Sequence, residues 1–189
     1  MSSTVAAPAY SRAVLAVTMP KRIKWLPVSD KGMPIPWCAR PTPGQNKAVT
    51  AIKRRLCWIC GEQMGSNVAM SLSPLGTINR ATSEPPAHRD CAVFSAKAGL
   101  MSRQNPAVVA VWVTRGYGPF RTGNGGALLT FDDPEEVLWF KEGRPATREE
   151  VTEAIEAGLP AWRDMAEKEG PSSVDTLKQM VDRALTYLP

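Results

Sequence analysis

Cys57-Trp58-Ile59-Cys60-Gly61 and His88-Arg89-Asp90-Cys91 are the two stretches on which the reading of this sequence turns. A Cys-x-x-Cys turn closed by glycine lets two thiolates grip one tetrahedral ion while neighbouring backbone amides donate to the sulfurs. The second pair is set three residues apart and follows Ser83-Glu84-Pro85-Pro86, which reads as a helix start. His88 and Cys91 then fall one turn apart on the same helical face. Between the pairs, GEQMGSNVAMSLSPLG (61–76) reads as a β-hairpin. Knuckle, hairpin, then a helix carrying the second ligand pair is the layout of a treble clef. The expected site is therefore a closed, structural one, with Cys57, Cys60, His88 and Cys91 holding one Zn²⁺.

Cys38, beside Trp37, is the alternative to His88 and would make the site all-cysteine. Spacing favours His88 and leaves Cys38 as a small buried hydrophobe. Ordinary buried cysteines and a thioredoxin-like redox pair are the competing readings, and no βαβ pattern surrounds the Cys-x-x-Cys to support the second. Four cysteines in 189 residues do not make a disulfide scaffold and fit a reducing cytoplasm with a metal site. The segment 57–91 has few large apolar residues of its own. Structural zinc supplies on the order of 10–16 kcal/mol in small finger peptides, more than the net stability of a typical domain, so the module should collapse without metal.

Outward from this centre, residues 1–45 carry prolines at 8, 20, 27, 34, 36, 41 and 43. That density forbids a long helix and implies an arm with short extended pieces. Residues 23–28 and 34–38 are expected to pack Trp25 and Trp37 on the core. Residues 46–56, NKAVTAIKRRL, read as a short helix or a strand. AVVAVWV (107–113) and ALLTF (127–131), joined by the glycine-rich RGYGPFRTGNGG (115–126), read as a second hairpin with a long loop. Residues 46–131 thus form the zinc module and hairpin.

From residue 132 the chain changes character. Asp133-Pro134-Glu135-Glu136 places a cap, a proline at the first helical position and acids behind it, predicting a helix through VLWFKE that stops at Gly143. Thr147-Arg148-Glu149-Glu150 repeats the capping pattern ahead of a helix ending at Gly158, and 161–168 reads as another. Leu177, Met180, Val181, Ala184, Leu185 and Leu188 lie on one face of a last helix. The fold class is α+β: a proline-rich N-terminal arm, a small treble-clef-like zinc module with β-hairpins, and an acidic helical region (132–189) packed as one domain with 46–131.

The net charge of +5 conceals an asymmetry: 16 basic against 4 acidic residues through Arg121, and 7 against 14 from Thr122 onward. The acids concentrate near helix starts, where the dipole favours them, so helix architecture accounts for the negative back half. The basic front asks for an acidic partner, whether nucleic acid, another protein or the chain's own tail. Lys53, Arg54, Arg55, Arg80, Arg89, Lys97 and Arg103 surround the expected finger, with Trp58 and Phe94 interleaved. The first six are the candidate phosphate contacts. Arg89, between two ligands, must point away from the metal.

Several classes are excluded. The longest apolar runs, 13–17 and 107–113, are too short to span a bilayer, and no secretory signal pattern opens the chain. The acid-free, Ser/Thr/Ala-rich start is shared with transit peptides, but Pro8, Pro20 and Pro27 fit an arm better. Hydrophobic content of 43% suffices for a core. Phosphate loops, GxSxG, HExxH and EF-hand patterns are absent, and no small-molecule cofactor is expected. His88 is the single histidine, so a treble-clef nuclease would lack its general base, and the HxE and PCxxC of deaminases are missing. Glu84, four residues before His88, could be proposed as an acid/base group but is read as a helix cap or as the acceptor that orients His88 from behind the metal. The expected function is a non-enzymatic zinc finger that binds nucleic acid. A protein-binding effector of a host enzyme or defence complex is the alternative, and a degenerate metal-dependent nuclease the weakest reading.

CWICGEQMG, NRATSEPPAHRDCA, VVAVWVTRGYGPF, DPEEVLWFKEGRPATREEV and GLPAWRDMAEKEG together resemble a family of uncharacterised bacterial and bacteriophage proteins. The similarity covers roughly residues 25–189 and is sharpest in SEPPAHRDCA. The family usually carries a further cysteine between the ligand pairs, where this chain has SLSPLGTINR, which argues that such a cysteine is not needed for the four-ligand site. The resemblance implies a phage or mobile-element setting and a cytoplasmic protein, and supplies no activity.

Overall fold

The computed structural model of the chain describes residues 10–41, 46–100, 108–121 and 127–189. The prolines break the arm into single turns: α1 (Arg12–Leu15), 3₁₀ turns at Lys21–Ile23 and Trp37–Ala39, and a bridge between Val28 and Pro34. The extended pieces expected at 23–28 and 34–38 are therefore mostly turns. Trp25 does not pack on the core. In the tight turn Ile23 and Leu26, three residues apart, share the inward face at 0% and 5% exposure, and Trp25 is left outside at 86%.

Residues 46–56 resolve as a helix, α2 (Lys47–Arg54), because Asn46 accepts the Val49 amide at 3.1 Å and Arg55 closes the last turn at φ 51°. The hairpin expected over 61–76 is not formed. β1 (Val68–Leu72) leads into α3 (Pro74–Asn79), whose start is the Ser-Pro step itself: the Ser73 hydroxyl accepts the Gly76 amide at 3.1 Å and Pro74 takes the first helical position. A short β2 (Ala81–Thr82) follows. The next helix, α4 (Arg89–Ala98), begins after Ser83-Glu84-Pro85-Pro86 rather than in it, since consecutive prolines hold that segment extended.

The strands β3 (Val108–Thr114), β4 (Tyr117–Arg121), β5 (Ala127–Phe131), β6 (Glu136–Lys141) and β7 (Arg144–Pro145) come next. The helices α5 (Arg148–Gly158), α6 (Pro160–Glu169) and α7 (Pro171–Leu185) complete the chain. The strands form two antiparallel sheets, β1-β3-β6-β7 and β2-β5-β4. The second expected hairpin is thus also corrected. β5 pairs with β4, Tyr117 opposite Phe131, while β3 pairs with β1 and β6. Residues 122–126 of the expected loop, and Arg103, lie outside the described residues.

The helix expected from Asp133 is a strand. Val137, Leu138, Trp139 and Phe140 are strand formers, and β3 offers them a partner edge from Val108↔Lys141 to Val113↔Glu136. The pairing outweighs a capping signal that spans only four residues. The acidic region therefore opens with β6 and β7, and its helices start at Arg148.

β3 is buried along nearly its whole length because its sheet is covered on both faces. Trp112 and Trp139 share one face, where the Trp112 ring meets Tyr187 at 5.0 Å and Phe131 at 5.5 Å, and Trp139 Nε1 donates to the Tyr187 carbonyl at 2.8 Å. Phe140 is on the other face, under the Lys97 ammonium of α4 at 5.6 Å. The capping box of α5 forms as the sequence predicts: Thr147 Oγ1 accepts the Glu150 amide at 3.3 Å and the Glu150 carboxylate accepts the Thr147 amide at 3.0 Å. It presents Val151 and Ile155, both fully buried, to the core.

Candidate metal centre

The knuckle is set by its own main chain. The Cys57 amide donates to the Glu62 carbonyl at 2.8 Å and the Gly61 amide to the Cys57 carbonyl at 2.9 Å, with Leu56 bridged to Gln63. Gly61 sits at φ 82°, the left-handed conformation that turns the chain back after Cys60. The second pair is delivered from β1. Ala69 and Ala87 exchange two main-chain bonds of 2.8 Å, and the Trp58 amide donates to the Pro86 carbonyl at 3.0 Å. His88 is the residue immediately before α4, and Cys91 lies in its first turn.

The arm closes over the same place. The Trp37 amide donates to the Ile59 carbonyl at 2.7 Å and the Cys38 amide to the Trp58 carbonyl at 3.2 Å, while Trp37 and Trp58 stack edge to face at 6.1 Å. Arg22 reaches Asp90 at 3.1 Å and Glu62 at 3.4 Å.

Cys57 Sγ, Cys60 Sγ, Cys91 Sγ and the His88 ring nitrogen all lie within 4.8 Å of one another. His88 Nδ1 is 3.5 Å from Cys60 Sγ and 4.0 Å from Cys91 Sγ. Bonds of about 2.3 Å to sulfur and about 2.0 Å to nitrogen in a tetrahedron require S···N edges of about 3.5 Å. The four donors therefore stand close to the positions from which one ion can be held. His88 Nε2 is 3.1 Å from the Gln63 carbonyl, which can only accept. In the neutral ring, the form that can ligate an ion, the proton is thus on Nε2 and the Nδ1 lone pair faces the sulfurs. The amides of Cys60 and His88 approach Cys57 Sγ at 3.5 and 3.4 Å.

The electrostatics describe a cluster built for a cation. Hydrogen bonds from the Cys60 and Cys91 thiols, aided by His88 and a backbone amide, hold the Cys57 thiol far below its ordinary range despite burial. The Cys60 thiol, bonded to that sulfur, is pushed up to about 12, and the Cys91 thiol is pushed well up by its bonds to Cys57 and Cys60 and by burial. His88 is raised by its hydrogen bond to Cys57. Packed together, the three thiols oppose one another's ionisation, whereas a bound dication would favour deprotonation of all three.

Other expected residues are distributed differently. Cys38 lies in the turn Trp37–Ala39, half-buried rather than buried, and outside the donor group. The Gln63 carbonyl accepts from His88 Nε2, and the Glu84 amide donates to Thr82 Oγ1 at 3.1 Å. The expected basic face is partly consumed by the chain's own acids. Arg89 makes a two-pronged bond to Glu136 at 2.5 and 2.7 Å. Arg80 donates to the Phe131 carbonyl at 2.6 Å and pairs with Asp133 at 3.3 Å. Arg55 donates to the Gly65 carbonyl at 2.8 Å and lies over the Tyr117 ring, and Lys97 covers Phe140. Lys53 and Arg54 remain exposed on α2.

Gln63 and Arg22 escaped the sequence reading. Gln63 acts through its carbonyl, which every residue possesses, and Arg22 meets a partner 68 positions away, so neither leaves a local signal. Among the described residues no helix is long and apolar enough to cross a membrane. No family model, curated protein or solved structure matches the chain.

Proposed function

We propose that this is a non-enzymatic zinc protein of a phage or mobile element that binds nucleic acid, with Zn²⁺ held by Cys57, Cys60, His88 and Cys91 as a structural ion. Three thiolates and one imidazole at tetrahedral spacing are the donor chemistry of zinc, and four protein ligands leave no open position for water. The single histidine stands in that donor set, so a general base for nuclease chemistry would have to come from another residue type.

The observation that carries the nucleic-acid reading is the set of cations left over. After Arg22, Arg80, Arg89 and Arg115 are paired with acids of the chain, Lys21, Lys24, Lys53 and Arg54 remain exposed and without an ion pair among the described residues. Each phosphate so neutralised makes binding salt-dependent, with log K falling by about 0.9 per contact on duplex DNA. Retardation of short DNA or RNA that weakens steeply with salt is the expected result; no shift even at low salt refutes the reading.

A protein-binding effector is the second reading. It is favoured by Met165 and Val174, 55% and 41% exposed among the acids of α6 and α7. A stoichiometric host partner recovered after nuclease treatment would identify it.

A further inference from the structure

The outer side of the arm carries a feature that rests on the nucleic-acid reading and narrows its substrate. We propose that Trp25, with Glu62 and Asp90 facing it and Lys21 and Lys24 beside it, is a stacking pocket for an unpaired nucleobase, which makes the bound species single-stranded nucleic acid.

Trp25 is 86% exposed, whereas Trp112 and Trp139 are buried in the core and Trp37 packs on Trp58. An indole left in water forgoes a large burial gain, and here the fold holds it there. Ile23 and Leu26 anchor the turn on either side of it, at 0% and 5% exposure, so Trp25 projects from a fixed support.

Beside it opens a pocket of about 370 Å³ lined by Lys21, Arg22, Trp25, Glu62 and Asp90. That volume lies within the roughly 300–1,000 Å³ of small-ligand sites. Arg22 ties the far wall together through Asp90 and Glu62, whose side chains remain 50% and 56% exposed with acceptor capacity to spare. The zinc ligands place both acids, since Glu62 follows Cys60 by two residues and Asp90 precedes Cys91.

The pocket combines a free aromatic face, carboxylate acceptors and flanking ammonium groups. A base offers each its complement: a π-face for Trp25, exocyclic amino hydrogens for Glu62 or Asp90, and a phosphate for Lys21 or Lys24. A duplex hides the base faces, so only an unpaired base can enter. A lipid surface would call for a broad apolar patch, but the residues lining the pocket around Trp25 are all charged.

The test is fluorescence anisotropy of labelled oligo(dC), oligo(dT) and a duplex of equal length with the zinc-loaded full chain. Oligo(dC), which carries an amino group, should bind most tightly and the duplex most weakly. Trp25→Ala should weaken oligo(dC) binding about tenfold while Trp25→Phe retains most of it. Lys21→Gln with Lys24→Gln should reduce the salt slope by about 1.4, at about 0.7 per single-strand phosphate. Metal content and circular dichroism verify that the exposed substitutions leave the fold intact.

Oligonucleotide binding that Trp25→Ala leaves unchanged, or a duplex bound as tightly as single strands, overturns the pocket and leaves the nucleic-acid reading standing. Equal affinity for oligo(dT) removes the carboxylate role. Failure to bind any oligonucleotide at low salt, including the case in which phosphatidylserine vesicles bind instead, overturns both.

Discussion

Replacing Gly61 by alanine tests whether the knuckle and the arm are one mechanical unit. Gly61 sits at φ 82°, and a Cβ added there would lie 2.6 Å from Trp37 Cδ1 and 2.7 Å from Cγ. Two costs arise. Holding an L-residue in the left-handed region costs roughly 1–2 kcal/mol. The Trp37 ring must also move, weakening its edge-to-face contact with Trp58, of a kind contributing about 0.5–1.5 kcal/mol. A gain of about 0.4–1 kcal/mol from a stiffer unfolded chain offsets part of this. The net expectation is a loss of about 2 kcal/mol, read by urea unfolding in excess zinc. Gly65→Ala is the control, because a Cβ there meets nothing within 4 Å. Gly61→Ala unfolding within about 0.5 kcal/mol of wild type, the spread of ordinary surface substitutions, would refute the coupling.

Four further outcomes are expected. Metal analysis should find one zinc per chain, and chelation or Cys91→Ser should unfold the segment 57–91 as followed by circular dichroism; a folded, zinc-free protein contradicts the site. Acid should act in the same direction, because protons compete with the ion for Cys57, Cys60, His88 and Cys91, so zinc retention and stability fall together as pH drops from neutrality. Arg89 holds the Glu136 carboxyl below its usual range through a hydrogen bond. A depressed carboxylate contributes stability above its unfolded pKa of about 4.3 and loses it as pH falls through the folded value. Glu136→Gln should thus cost about 0.5 kcal/mol at pH 7, small because the pair is partly exposed and screened, and nothing in acid. Thr147→Ala should cost about 1 kcal/mol in urea unfolding, with Thr147→Ser restoring most of it.

Some of this was legible in the residues because its cause is local. Cys57 with Cys60, and His88 with Cys91, are each joined by a single turn, so their spacing alone places two donors together. Thr147 and Glu150 satisfy each other within one helical turn, and the apolar face of α7 is a period of the chain. The Ser73-Pro74 helix start is equally local, but Pro74 and Gly76 also suit a turn, so those residues alone do not decide between the two.

The rest depends on partners far along the chain. Asp133-Pro134-Glu135-Glu136 has the composition of a helix start, yet Asp133 binds Arg183 and Arg80, Glu135 binds Arg115, and Glu136 binds Arg89. Those ion pairs help to answer the charge asymmetry: the basic front meets the first acids of the back half, at the entry to β6 rather than on the helices. Trp25 and Ile23 are two positions apart in one basic segment, and only the packing of the turn decided which entered the core.

Spacing, periodicity and one capping box act within a few residues, so the four candidate donors, the α+β character, the capped start of α5 and the apolar face of α7 are readable in the chain alone. Tertiary structure decided that 136–141 is a strand, that Arg80 and Arg89 face the chain's own acids, and that Trp25 faces solvent. Each of these is a competition between a short-range preference and a long-range contact, and its outcome depends on which surfaces the folded chain brings together.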